Sequence, residues 1–305
     1  MTLLANTSVP QTRESPQQDT AIAGTRVSLA PPAGFTPSPQ FPGYWQESLG
    51  SSIVVMEFPG SFLEISSGFS NPSALAKRGM ALLNKQDIKL DGRSGLLLQV
   101  RQNAYGTEFL KWVLIFGDDK ESVMIGATFP KELEGELSEK MKASVLTAKW
   151  DQDRKVSRTE GLDFSVSEKG DLRLAQRLVN SLLYTKGGIF PSEDVDDPAF
   201  IVGQSLSKIG VDKKEEFAKS RILQTATITE IEIEQSNQIT IDGLSGYEVV
   251  ARGKDTKSGQ VMLIYQIILF EDQSYYILQG IVSGKQRETH LPTFKEMAGS
   301  FKRKR

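Results

Sequence analysis

Leu90-Asp91-Gly92-Arg93-Ser94-Gly95 returns 151 positions later as Ile241-Asp242-Gly243-Leu244-Ser245-Gly246. Asp-Gly between two apolar-patterned stretches is a tight-hairpin signal, because Asp caps its own turn and Gly supplies positive φ. A long apolar strand follows each hairpin. The first, Phe109–Phe116, leads into Gly117-Asp118-Asp119, and the second, Leu263–Phe270, leads into Glu271-Asp272-Gln273. Val123-Met124-Ile125-Gly126 then matches Ile277-Leu278-Gln279-Gly280, and an amphipathic helix closes each half near 131–148 and 286–300. Upstream, Ser61-Phe62-Leu63 matches Ala199-Phe200-Ile201. Helices are expected over 71–83 and 212–223, with Asn71 and Asp212 as N-caps.

The chain therefore reads as a duplication. Trp112–Phe116 and Ile267–Phe270 are continuously apolar, as expected of strands covered on both faces. Short turns imply antiparallel hairpins. The fold class is α+β: two tandem α-β-α sandwich domains, each a mainly antiparallel sheet covered by helices. Expected boundaries are a flexible leader over 1–24, a first repeat over 25–150, a linker over 151–158 and a second repeat over 159–305. Residues 6–24 carry almost no large apolar side chains, so they cannot offset their ordering entropy.

Composition narrows the chemistry. The 305 residues are 39% apolar and 24% charged, enough for two cores without staples. With no cysteine, thiolate nucleophiles, disulfides, Cys zinc sites and iron–sulfur clusters are excluded. The single histidine, His290, would have to serve alone in any triad or multi-His site; it is expected to be exposed or capping. Residues 1–150 hold 14 Lys+Arg against 15 Asp+Glu, and 151–305 hold 22 against 23, so no basic excess marks a nucleic-acid binder. The ending Phe301-Lys302-Arg303-Lys304-Arg305 reads as a solvated tail closing a helix, its alternative being a grip on an anionic surface. No stretch approaches the ~20 apolar residues of a membrane-spanning helix. Met1–Ala5 does not read as an intact signal peptide, which leaves open a start after a removed one.

Three constellations are weighed. Ser94 and Ser245 do not fit G-x-S-x-G, and duplicated serines sharing one distant histidine make little mechanistic sense; hairpin chemistry explains them. The acidic loop Glu193–Asp197 offers Asp194, Asp196 and Asp197 as candidate ligands for Ca²⁺ or Mn²⁺, though it lacks the EF-hand spacing and glycine. Its expected counterpart is Phe58-Pro59-Gly60. Phe35, Phe41, Tyr44, Trp45 and Phe58 are candidates for a groove taking an apolar partner segment, or else core. No Gly-rich phosphate loop is seen, and no cofactor is expected.

The Pro31-Pro32-Ala33-Gly34-Phe35 opening, the Asp-Gly-x-Ser-Gly hairpin, the long paired strands and the terminal helix together resemble the PsbP-like family. The resemblance spans nearly the whole chain, once per half. It implies a bacterial, non-catalytic binding or accessory protein with a protein partner, in the periplasm or elsewhere outside the cytoplasm. The alternatives are a cytosolic chaperone for a secreted effector's apolar segment, and a metal-dependent hydrolase using the 193–197 loop.

Overall fold

A computed structural model describes residues 19–304 apart from 77–78, 105, 193 and 207–209. The first half contributes strands β1 (Thr36–Pro37), β2 (Gly43–Gln46), β3 (Ser51–Pro59), β4 (Met80–Leu90), β5 (Arg93–Ala104), β6 (Thr107–Gly117) and β7 (Glu121–Pro130). The second contributes β8 (Leu172–Leu178), β9 (Ser181–Lys186), β10 (Ala199–Gln204), β11 (Ile228–Ile241), β12 (Leu244–Asp255), β13 (Val261–Glu271) and β14 (Ser274–Ser283). The sheet orders are β1-β2-β3-β7-β6-β5-β4 and β8-β9-β10-β14-β13-β12-β11, the same order twice. Every pairing is antiparallel. Helices α1 (Phe62–Ser70), α2 (Pro72–Ala76), α3 (Glu134–Leu146), α4 (Lys214–Leu223) and α5 (Arg287–Gly299) cover the faces.

Both hairpins form as the Asp-Gly pairs require. Asp91 and Gly92 have φ of 50° and 77°, and Asp242 and Gly243 have 51° and 77°, the positive-φ pair of a type I′ turn. β6 and β13 are buried on both faces. In the first half, Leu97, Trp112, Leu114 and Phe116 pack with α3 through Leu137, Met141 and Val145. Leu96, Leu98, Val113 and Ile115 pack on the opposite face, with Leu75 of α2 and Phe62 of α1. The second half repeats this, with Phe294 and Met297 of α5 on one face and Ala218 and Ile222 of α4 on the other. This is the expected α-β-α sandwich, formed twice. Among the described residues, no helix is long and apolar enough to cross a membrane.

Several local expectations are overturned. Residues 71–83 are not one helix. Gly79, at φ 70°, ends the turn after α2, and β4 begins at Met80. Met80 and Leu82 face the α1/α2 layer, whereas Ile88 and Leu90 face the α3 layer. A bulge between Leu82 and Asn84 exchanges the faces, which blurred any single period in the sequence. Asn71 does cap α2, accepting from the Ser73 and Ala74 amides. Lys213, not Asp212, occupies the N-cap of α4.

Ala199–Gln204 is the counterpart of β3, not of Ser61–Leu63, which opens α1. The acidic loop therefore corresponds to the connection between β2 and β3, not to Phe58–Gly60. The pairing register also moves the long strands. Gly95 opposes Phe116 and Gly246 opposes Leu269, so Phe116 is equivalent to Leu269, one residue from the match by apolar runs.

The ends are built in. Thr20–Ala21 pairs with Val27–Leu29, and Ile22 is buried, so residues 19–24 are ordered; residues 1–18 of the expected leader lie outside the described residues. Phe301 is fully buried, and Lys302–Arg303 pairs with Phe164–Ser165. Arg303 donates to Asp242 and binds Glu271, so this segment is not a solvated tail. Its first-half equivalent, Lys149–Trp150, pairs with Val27–Leu29.

Candidate functional site

A cavity of about 420 Å³ lies between the halves, within the size range of small-ligand sites. The first sheet contributes Val55 to Pro59 of β3, with Arg26 and Glu121. The linker contributes Arg154, Val156, Ser157 and Arg158, and β8 and its turn contribute Ala175, Gln176, Arg177 and Val179. Four arginines thus face two glutamates.

Both glutamates are already engaged by one guanidinium. Arg26 donates Nε to Glu57 Oε1 at 2.8 Å and spans both Glu121 oxygens at 3.1 and 2.9 Å. Such bidentate, charge-assisted pairs are among the stronger hydrogen bonds. Trp150 Nε1 donates to the same Glu57 oxygen at 2.9 Å, and the Arg26 guanidinium lies 5.2 Å from the Trp150 ring centroid. Burial alone would depress the Arg26 guanidinium, but the Glu121 and Glu57 carboxylates outweigh it and hold its pKa above the ordinary value.

Two of the other arginines rest on neutral acceptors. Arg158 donates to the Leu174 carbonyl at 2.9 Å. Arg177 donates Nε to the Val179 carbonyl at 2.7 Å and Nη1 to the Glu160 carbonyl. Burial pulls the Arg177 guanidinium down to about 10, with Glu160 and Glu57 opposing. Arg154 pairs with Glu160 at 3.2 Å, and the same carboxylate accepts the Gly24 amide at 3.3 Å. A Cβ on Gly24 would collide with the Arg177 guanidinium, so glycine is what lets this arginine reach the first half. The cavity is thus an electropositive, partly apolar recess whose spare donors suit an anion.

The residues singled out from sequence lie elsewhere or serve differently. Phe35, Phe41 and Tyr44 are buried; Phe35 and Tyr44 belong to the first core, and Phe41 lines a narrow cleft with Gly161 to Phe164. Trp45 is partly exposed on β2, and Phe58 lines the cavity. Asp194 accepts the Asp196 amide at 2.9 Å, Asp196 accepts from Gln260, and Asp197 accepts from Lys186 at 3.1 Å and Ser192 at 2.9 Å. Each carboxylate is committed to its own partner. Among the described residues, no group of three or more His, Asp or Glu could hold a metal ion. Ser94 and Ser245 are exposed on strands after their hairpins.

His290 is neither exposed nor capping. It is buried inside α5, its Nε2 is 3.0 Å from Gln286 Oε1, and its Nδ1 lies 4.0 Å from Asp171 Oδ1. The cavity arginines carried no sequence signal, because they come from three separate segments: Arg26, the linker pair Arg154 and Arg158, and Arg177.

The sequence matches no protein-family model and no curated protein. Solved structures with a similar arrangement include LpqN, involved in cell envelope biogenesis of Mycobacterium tuberculosis, at TM-score 0.36 and 14% identity, covering 47% of this chain and 83% of that one. The T6SS immunity protein TplEi of Pseudomonas aeruginosa aligns at TM-score 0.30 and 11% identity, over 92% of this chain and 95% of its own. Cyanobacterial PsbP (CyanoP) from Synechocystis aligns at TM-score 0.29 and 12% identity, over 46% of this chain and 82% of its own.

Proposed function

We propose that this chain is a non-catalytic binding protein whose cavity between the halves receives an acidic segment of a protein partner. The observation carrying this reading is that, among the described residues, Arg158 and Arg177 face the recess with carbonyl acceptors alone, while both lining glutamates are occupied by Arg26. A carboxylate entering there would replace neutral acceptors with charged ones, and charged hydrogen bonds contribute about 1.5–3 kcal/mol each. The non-catalytic part is supported by the placement of Ser94 and Ser245 on exposed strands, and by the burial of His290 beside Gln286.

Calorimetry with oligoglutamate and, as control, oligolysine tests the reading. One saturable site for oligoglutamate, weakened about tenfold by Arg158→Ser or Arg177→Gln and by added salt, is expected. No binding at low salt, or binding indifferent to both substitutions, refutes it. The resemblance to PsbP-like proteins supports a place in the bacterial envelope, and fractionation of the host tests that: recovery in the periplasm agrees, recovery in the cytosol does not.

A further inference from the structure

The duplication supplies an internal control for every core position. In the first half, Leu97 opposes Leu114, and Trp112 lies under α3, donating Nε1 to Ser138 at 3.1 Å with the Lys142 ammonium 5.0 Å from its ring centroid. The register equates Leu97 with Glu248, Trp112 with Tyr265 and Lys142 with Lys295. An apolar core position has become a carboxylate. Glu248 is only 9% exposed. The Tyr265 hydroxyl donates to its Oε1 at 3.0 Å, and Lys295 Nζ reaches its Oε2 at 3.3 Å.

Taking a carboxylate out of water is unfavourable, and a buried ion pair is commonly no more stable than the apolar residues that could replace it. The first half demonstrates the apolar solution. Stability therefore does not explain Glu248, and a cleft of about 470 Å³ opens beside it. Ile239, Ile241 and Ile267 line the cleft with Tyr265, Glu248 and Lys295. At its end Asp242 is held by Arg303 and Lys302. Lys295 is the exchangeable partner: its side chain is 45% exposed, and its contact with Glu248 is long. Tyr265 is not exchangeable, being fully buried, with burial first and then Glu248 raising its pKa and keeping it a neutral donor.

We infer that this cleft binds a small organic cation with an apolar body, an alkylammonium in chemical class. Its ammonium replaces Lys295 at Glu248 Oε2, and its chain lies on Ile239 and Ile241. The site is independent of the cavity between the halves.

The test titrates the full chain with hexylammonium, hexanoate and hexanol, followed by NMR shifts of the isoleucine methyls. Saturable binding of hexylammonium alone is expected. Glu248→Leu, which installs the first-half residue, should weaken binding at least about tenfold while leaving Tm unchanged or higher; Lys295→Met should tighten binding. Should Glu248→Leu lower Tm, Glu248→Gln keeps the shape and carries the same binding expectation. Equal binding of hexanoate or hexanol, binding unchanged in Glu248→Gln, or no saturable shift overturns the proposal.

Discussion

Replacing Gly24 with alanine probes the contact between the halves. Gly24 has φ 75°, a left-handed backbone that costs a residue with a Cβ about 1–2 kcal/mol. The new methyl would also collide with the Arg177 guanidinium. Arg177 would then leave the Val179 and Glu160 carbonyls, where a hydrogen bond from a charged donor contributes about 1.5–3 kcal/mol. Discounting for the water that would solvate the released, partly exposed guanidinium, the total comes to about 3 kcal/mol. The two parts separate in a double-mutant cycle. With Arg177→Ala already present there is nothing to collide with, so Gly24→Ala should cost only its backbone strain, about 1 kcal/mol. Urea unfolding followed by tryptophan fluorescence measures all four variants. The expected coupling is about 2 kcal/mol. Equal costs of Gly24→Ala in both backgrounds would refute the claim that glycine is there to admit Arg177.

Three further outcomes follow from the same structure. Gly280 lies between Phe200 and Tyr265 in the second sheet, and Phe294 stacks across it, where a Cβ would stand 2.5 Å from the ring; Gly280→Ala should destabilise by about 1–3 kcal/mol in thermal unfolding, and a neutral result would contradict the packing. Asp242 accepts the Arg303 amide and guanidinium, which hold its carboxyl below the usual 3.8. A depressed native pKa adds stability that is present above the unfolded value and is lost as pH falls through the native one. The stability gap between the parent and Asp242→Asn should therefore be constant above about pH 5 and shrink below about pH 4; a gap that grew on acidification would reverse the sign. Each core cluster draws on one half, so fragments divided near Asp151 should each show cooperative unfolding by circular dichroism, and two unfolded fragments would be the contrary result.

The architecture was legible because it rests on local signals. Asp91-Gly92 and Asp242-Gly243 set hairpins, and the apolar runs after them mark strands covered on both faces. What escaped depends on register. The bulge in β4 exchanges the faces of Leu82 and Ile88, so neither a 2-residue nor a 3.6-residue period survives across 71–90. Matching the long strands by their apolar ends paired Phe116 with Phe270. That one-residue slip assigns Trp112 and Tyr265 to unrelated positions, so the shared place of the two rings under the closing helices did not show. Arg26, Glu57, Glu121 and Trp150 meet through tertiary packing alone, so no spacing rule announces them. Phe35 and Tyr44 take the core reading of the early aromatic cluster rather than the groove one.

Amide hydrogen exchange of the full chain, with and without oligoglutamate, tests the binding reading most directly. The account predicts slower exchange around 24–26, 57–59, 154–158 and 175–179, the segments that surround the cavity between the halves, and the loss of that pattern in Arg177→Gln. Protection confined to any other face, or no change at saturating peptide, would contradict it.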